Sequence, residues 1–334
     1  RGLGDVYKRQ PTTYTRIREQ NLAGYAQYSH PLPFGQANIG LRYEHVDFDY
    51  FENATFVPGQ SRVYDNIFPN ISVNGQLGKV QFQVSYAAKT QRPNYSQLRN
   101  NITYANRFTW QTGNPLLKPS VTHDITAVGV WRFFQAMVSY KVVRDYILYW
   151  GTQVENQSAT TLINYINHDR LPSLTVMLAA SPTIGIWNLN ASAIVMKQWF
   201  SLDAAGQRRT YNNPLFVGSL NNTFTLPAGF LLSADFNYQS RGQVQNITLK
   251  RPQYTLNIGL RKSLFNDALS IEARANDLLL GCKQEALLYM ESAQMKDLSW
   301  SDTRSFSLTV RYKFNAAKSK YKGTGAGQDT INRM

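Results

Sequence analysis

Histidine, cysteine and carboxylate side chains bind metals and move protons, and this sequence places them poorly for either task. The four histidines, His30, His45, His123 and His168, lie far apart and show no metal-ligand spacing. Cys282 is the single cysteine, so a disulfide framework is excluded and no second thiol stands near it. His123-Asp124 has the composition of an acid–base pair, but neighbours on a strand point to opposite faces. Ser29-His30 fails for the same reason. Gly323-Thr-Gly-Ala-Gly327 is glycine-rich enough to suggest a phosphate cradle. It lacks the Lys-Ser/Thr pair and the strand–loop–helix setting that such a loop needs. Glu272 and Asp277 are separated by a strand end and form no carboxylate pair. These residues predict no catalytic site, no metal and no cofactor, and they leave the substrate-binding residues unassigned.

Charge offers a second chemistry. Lys and Arg number 35 against 21 Asp and Glu, a net charge of +14. A nucleic-acid-binding protein would cluster such an excess with stacking aromatics on one face. Here Arg42, Lys89, Arg261, Arg274 and Arg311 are spread over separate segments, so no nucleic-acid partner is predicted. Lys318, Lys320 and Lys322 form a solvated basic tail.

The elements that carry these residues must be strands. The chain has 334 residues, of which only 17% are charged, against about 25% in ordinary soluble domains. Aromatics make up 13% and hydrophobic residues 43%, yet mean hydropathy is −0.37. The remainder is therefore neutral-polar, which excludes a helical bundle, and the aromatic content excludes disorder. No run approaches the ~18 apolar residues of a membrane-spanning helix, and no secretory signal is visible. From Asn21 onward the dominant period is two. Val80-Gln-Phe-Gln-Val-Ser-Tyr86, Leu232–Tyr238, Tyr254–Leu260 and Phe306–Phe314 alternate apolar and polar residues without a fault. Ala37–Tyr43 and Leu269–Ala275 do nearly as well.

Connections alternate too. Short turns near Leu32–Gly35, Leu77–Lys79, Arg132–Gln135, Pro182–Gly185, Pro227–Gly229 and Phe265–Asp267 separate longer polar stretches. The latter are Phe51–Asn66, Arg92–Ser120, Gly151–Thr160, Ser201–Asn213, Ser240–Pro252 and Gly281–Trp300. This is an up-and-down antiparallel meander with one trimmed and one elaborated end. A soluble sandwich or propeller would turn the apolar face inward, and an outer-membrane barrel would turn it to lipid. Three features favour the barrel. The second face is polar enough to line a lumen, and the strands run roughly 9–11 residues, a tilted bilayer crossing. Aromatics also gather at two levels, as interfacial girdles do. Trp131, Trp187, Phe230, Phe265 and Phe314 lie by the short turns, and Trp150, Trp199, Phe200 and Trp300 by the long loops.

A family resemblance follows from the order of several motifs. Ala23-Gly-Tyr-Ala-Gln-Tyr28, a short turn and Gly40-Leu-Arg-Tyr-Glu44 resemble a strand pair of TonB-dependent outer-membrane receptors. Phe68-Pro-Asn-Ile-Ser72 is similar to that family's next strand. Ser85-Tyr86, Arg92-Pro93, Tyr95, Leu98 and Gly113-Asn-Pro-Leu-Leu-Lys-Pro119 form the most specific string. Ala275-Asn-Asp277 and the closing Arg311-Tyr-Lys-Phe314 match the family's end. The tail Lys320–Gly327 is similar to one branch, the outer membrane protein β-barrel family. The resemblance implies a 22-stranded barrel filled by an N-terminal plug that couples to TonB. It also implies, as partners, outer-membrane lipid and lipopolysaccharide, the barrel-assembly machinery, and an unknown scarce solute.

The expected fold is all-β: an antiparallel up-and-down transmembrane β-barrel, incomplete, of about thirteen strands. Residues 1–10 (RGLGDVYKRQ) read as a non-native, adapter-like segment, residues 11–314 as the partial barrel and 315–334 as a basic flexible tail. With no plug before Asn21, the chain reads as an N-terminally truncated piece in which the first and last strands were not made for each other. The expected function is solute uptake across the outer membrane of a Gram-negative bacterium. A passive porin-like channel and a soluble β-rich binding protein are the alternatives. Phe82, Val84, Tyr86, Leu256, Ile258, Leu308 and Val310 are expected to face lipid. Gln81, Gln83, Asn257, Thr309 and Arg311 are expected to face the lumen, where the spread bases would meet plug carboxylates or an anionic solute.

Overall fold

The computed structural model describes residues 14–154, 157–265, 268–291 and 294–314. The adapter-like segment and the basic tail lie outside the described residues. Thirteen strands follow one another in an antiparallel meander. They are β1 (Thr15–Leu32), β2 (Gly35–Glu52), β3 (Arg62–Leu77), β4 (Val80–Gln91), β5 (Ser120–Trp131), β6 (Phe134–Val154), β7 (Gln157–Ala180), β8 (Trp187–Gln198), β9 (Leu215–Leu226), β10 (Phe230–Gln239), β11 (Gln253–Leu264), β12 (Leu269–Asn276) and β13 (Ser305–Tyr312). Each pairs with the next. Four short pieces complete a 17-stranded sheet. Among the described residues the single α-helical turn, Tyr95–Leu98, has 4 residues.

Register puts the period-two pattern on two faces. Phe82 lies opposite Gly129, which lies opposite Ala136, and the row continues through Leu178, Ala193, Gly218 and Tyr238. Val84, Tyr86, Leu256, Ile258, Leu308 and Val310 fall on this same apolar face, as expected. The other face carries rows such as Ser192–Ser219–Asn237–Thr255. Gln81, Gln83, Asn257, Thr309 and Arg311 belong to it. A one-residue slip anywhere would exchange the faces, so every matched row pins the register.

The strands are longer than the sequence pattern suggests. β6 has 21 residues and β7 has 24, where the sequence reads a loop over Gly151–Thr160. β1 and β2 have 18 each and pair as far as Thr15↔Glu52. A bilayer crossing takes only about 9–11 residues. Above it water solvates both faces, so alternation is no longer required and the sequence signal stops. The ladder itself continues, for example through Leu162↔Thr152 and Asn164↔Trp150.

The two aromatic levels need one correction. Beside the short turns, Trp131 stacks on Phe134 at 6.0 Å and Trp187 on Phe224 at 6.2 Å. Phe230, Phe265 and Phe314 are exposed there. At the other end Trp199 and Trp300 are exposed, but Trp150 and Phe200 are buried. Phe200 packs with Leu148, Leu171 and Tyr211 under the hairpin Phe200–Ala204/Gln207–Tyr211, so it is core and not girdle. Among the described residues, β1 pairs only with β2 along its length and β13 only with β12.

Candidate solute path and extracellular mouth

The polar face is a lattice of hydroxyls and amides that largely satisfy one another. Ser219 Oγ donates to Asn237 Oδ1 at 2.9 Å, and Asn237 Nδ2 to Thr255 Oγ1 at 3.4 Å. Thr126 and Ser139 both donate to Asp124, at 2.8 and 2.9 Å, and Lys141 stands 3.8 Å away. Arg274 lies 3.3 Å from Asp235 and 3.8 Å from Glu272. Of the five spread bases, Arg42 and Arg274 are thus matched by carboxylates of the sheet, Arg42 by Glu44 at 2.7 Å. Lys89, Arg261 and Arg311 make no ion pair with a described residue.

The isolated histidines are placed by strand parity. His123 Nδ1 meets Tyr86 Oη at 2.9 Å on the apolar face, while Asp124 points to the polar face. They are adjacent and never form a dyad. His30 stacks beside Tyr28, and His168 meets Phe200 edge-on at 4.6 Å. His45 Nδ1 is 2.8 Å from Asp65, a partner 20 residues away that the sequence does not reveal. Ser29 donates to Asn38, away from His30. Glu272 joins Arg274, while Asp277 is buried and accepts from Gly281 N and from the Thr303 hydroxyl. Cys282 is half-buried. Among the described residues, no three metal-ligating side chains converge.

Proline at 93, 115 and 119 interrupts the long strands between β4 and β5, and the segment folds across the mouth on the polar-face side. Its anchor is Arg92, whose guanidinium reaches Glu19 at 3.1 Å and Glu44 at 2.9 Å, both carboxylates nearly buried. Leu98 and Leu117 bury themselves against Phe48 and Tyr50. Arg62 donates to the carbonyls of Leu116 and Leu117, and Asn114 to that of Tyr165. Asn167 Oδ1 accepts from Lys118 N, and its Nδ2 donates to the Lys118 carbonyl. The strands Thr103–Asn106 and Thr109–Gln111 form a small hairpin whose second arm pairs parallel with β7. Tyr104 and Trp110 pack edge to face at 5.1 Å, whereas Phe108 at the tip is 55% exposed. A cysteine at Asn106, in a Cys282→Ser background, should therefore react with an impermeant maleimide added to intact cells. Failure to label intact cells, with labelling after lysis, would contradict this placement.

Two further pieces stand at the same end. One is the hairpin over Phe200–Tyr211. The other is a four-stranded sheet of Gly242–Val244, Ile247–Leu249, Lys283–Tyr289 and Gln294–Trp300. Within it Lys296, at 2.9 Å, and Arg251, at 3.2 Å, hold the Glu285 carboxyl below its ordinary range. Sequence reading treats these stretches as loops because each strand is short and its partner distant, as Ile247↔Leu288 shows.

The profile of the outer membrane protein β-barrel family matches residues 5–312. The chain belongs to that family. The apolar face of the sheet is accordingly its lipid face, the polar face lines the lumen, and the protein resides in the outer membrane. The soluble β-rich alternative is thereby excluded. Solved structures agree on the fold. The copper transporter OprC, 12% identical, superposes with a TM-score of 0.62 over 89% of this chain and 48% of its own. The ferric-catecholate import receptor Fiu from E. coli K12, 13% identical, gives 0.58 over 90% and 45%. The iron transporter FrpB from Neisseria meningitidis, 14% identical, gives 0.57 over 89% and 45%. The chain spans about half the length of these structures. No curated protein matches it in sequence.

Proposed function

We propose that the chain forms the wall and mouth of an energised importer, a TonB-dependent receptor barrel that takes up a scarce solute. One observation carries this reading: the polar lumen face is overlain at the mouth by a segment clamped through Arg92, Glu19 and Glu44. An anchored segment over the entrance fits a gated importer better than a channel left open to water. The unmatched Lys89, Arg261 and Arg311 support it further, as partners for plug carboxylates in the full-length protein or for an anionic solute. The structural neighbours carry iron, copper and a ferric catecholate, which makes a metal chelate the class to test first.

The test uses cells expressing the whole gene and radiolabelled ferric catecholate, alongside sugar-driven swelling of proteoliposomes. An importer takes up the chelate only while the protonmotive force stands, and its proteoliposomes do not swell. Uptake that survives an uncoupler, or swelling in small sugars, would favour the passive channel instead.

A further inference from the structure

The four-stranded sheet at the mouth repeats the wall beneath it. Gly242–Val244 follows β10, Ile247–Leu249 precedes β11, Lys283–Tyr289 follows β12 and Gln294–Trp300 precedes β13. The pieces pair in the same order as the wall strands they continue. Register is nearly kept as well. Extending Gln239↔Gln253 upward would set Gly242 opposite Lys250, and it lies opposite Leu249. Extending Asn276↔Ser305 would set Lys283 opposite Leu298, and it lies opposite Trp300. Backbone bonds bridge the break between the tiers: Lys250 N donates to Glu285 O at 2.8 Å and Leu278 N to Leu256 O at 2.9 Å.

The two flanks of this upper tier differ. On the inner flank Gln243 N donates to Asn213 O at 3.2 Å, which carries the β9–β10 ladder upward. On the outer flank Gln294–Trp300 pairs only with Lys283–Tyr289 among the described residues. Exposed edges are commonly guarded by a proline, a bulge or a free lysine. No proline or glycine occurs from Gln294 to Arg304, and the Lys283–Trp300 ladder has no bulge. Lys296 is tied to Glu285 at 2.9 Å within the sheet. Leu298 and Trp300, on one face of the strand, are 67% and 62% exposed.

Direction and length identify what would cover this edge. Directly below it β13 is the edge of the wall, and in lipid such an edge has to be paired. β1 is not an antiparallel partner, because it runs down to the short turn at Leu32–Gly35 in the same sense as β13. The partner therefore ascends. Each pair among β10, β11, β12 and β13 carries its pairing into the upper tier, so the outer edge of β13 offers its partner the same track. From Gln294 to Tyr312 that track is comparable with the 18 residues of β1 and the 21 of β6. The chain covers only about half of its structural neighbours, which leaves ample polypeptide to supply the strand.

We propose that Gln294–Trp300 is a docking edge for one long ascending strand of the polypeptide outside residues 1–334. The strand pairs with β13 in the membrane and with Gln294–Trp300 above it. Opposite Leu298 and Trp300 it presents apolar or aromatic side chains, the cross-strand pairs that such residues favour. The upper tier then continues around the rim without an open edge. The proposal goes beyond the uptake reading and holds for an importer and a passive channel alike.

The test is residue-resolved hydrogen–deuterium exchange on the full-length protein, made from the whole gene and held one molecule to a lipid nanodisc. Alternate amides of Gln294–Trp300 bond Lys283–Tyr289, and the amides between them point to the outer edge. Both sets should exchange at least about a hundredfold more slowly than unstructured amides, as paired strands do. Exchange of the edge-pointing set at the unstructured rate would overturn the proposal, even with the outer amides of β13 protected. Protection present in crowded vesicles and absent in single-molecule nanodiscs would assign the edge to a second copy of the protein, and would overturn it too.

Discussion

Arginine at Ile258 is expected to destabilise the membrane-embedded protein by about 2–4 kcal/mol, the cost of a cation at the midplane of a barrel's lipid face. Ile258 is exposed on the apolar face six residues from the end of β11, between Ala234 and Ala275 on its neighbours. A guanidinium there has only hydrocarbon around it. Arginine at the adjacent Asn257 faces Asp235 across the polar surface. It forfeits the bond that Asn257 Oδ1 accepts from Asp277 N, so its cost should be about 1 kcal/mol, that of one hydrogen bond. Reversible urea unfolding in lipid vesicles measures both. Equal losses at the two positions would contradict the face assignment, because the one hydrogen bond lost at Asn257 costs less than a cation placed in hydrocarbon.

Arg92→Met should cost about 3 kcal/mol, near the lower end for breaking a buried ion pair. The guanidinium lies between Glu19 and Glu44, whose side chains are only 10% and 9% exposed. Methionine preserves much of the volume and removes the cation, leaving two carboxylates with less compensation in a poorly hydrated place. Arg42 still serves Glu44, which keeps the loss from being larger. Adding Glu44→Gln in the same chain should recover at least half of the loss, since the neutral amide costs far less to bury. The lid should also open, so trypsin should cut at Arg99 or Arg107 faster in Arg92→Met than in wild type. An unchanged digestion pattern would show that the lid is held without the Arg92 clamp, by the Leu98 and Leu117 packing and the hydrogen bonds of Arg62, Asn114 and Asn167.

The wall was legible because lipid and water impose opposite demands on alternate residues. Val80–Tyr86 and Tyr254–Leu260 state their strand, their register and their two faces in seven residues each. The thirteen-strand meander follows from such segments and from the short turns between them. The strands' extensions were not legible, since β6 beyond about Arg144 has water on both sides and loses its alternation. Trp150 and Phe200 were misjudged for that reason: an aromatic near a loop looks the same whether it meets lipid or a second layer of protein. The mouth was the least visible part. Arg92 finds its carboxylates 73 and 48 residues away, and nothing local to it points to either.

Every functional conclusion rests on one face meeting lipid and the other water, and nitroxide scanning measures that contrast directly. Single cysteines at 254 through 260, in a Cys282→Ser chain inserted in vesicles, carry the spin label. Accessibility to oxygen, which partitions into lipid, should peak at Tyr254, Leu256, Ile258 and Leu260. Accessibility to an aqueous nickel chelate should peak at Thr255, Asn257 and Gly259. Two curves that oscillate with a period of two residues and in opposite phase are the predicted result. Curves that rise and fall together, or an oxygen maximum at Asn257, would contradict the barrel wall described above.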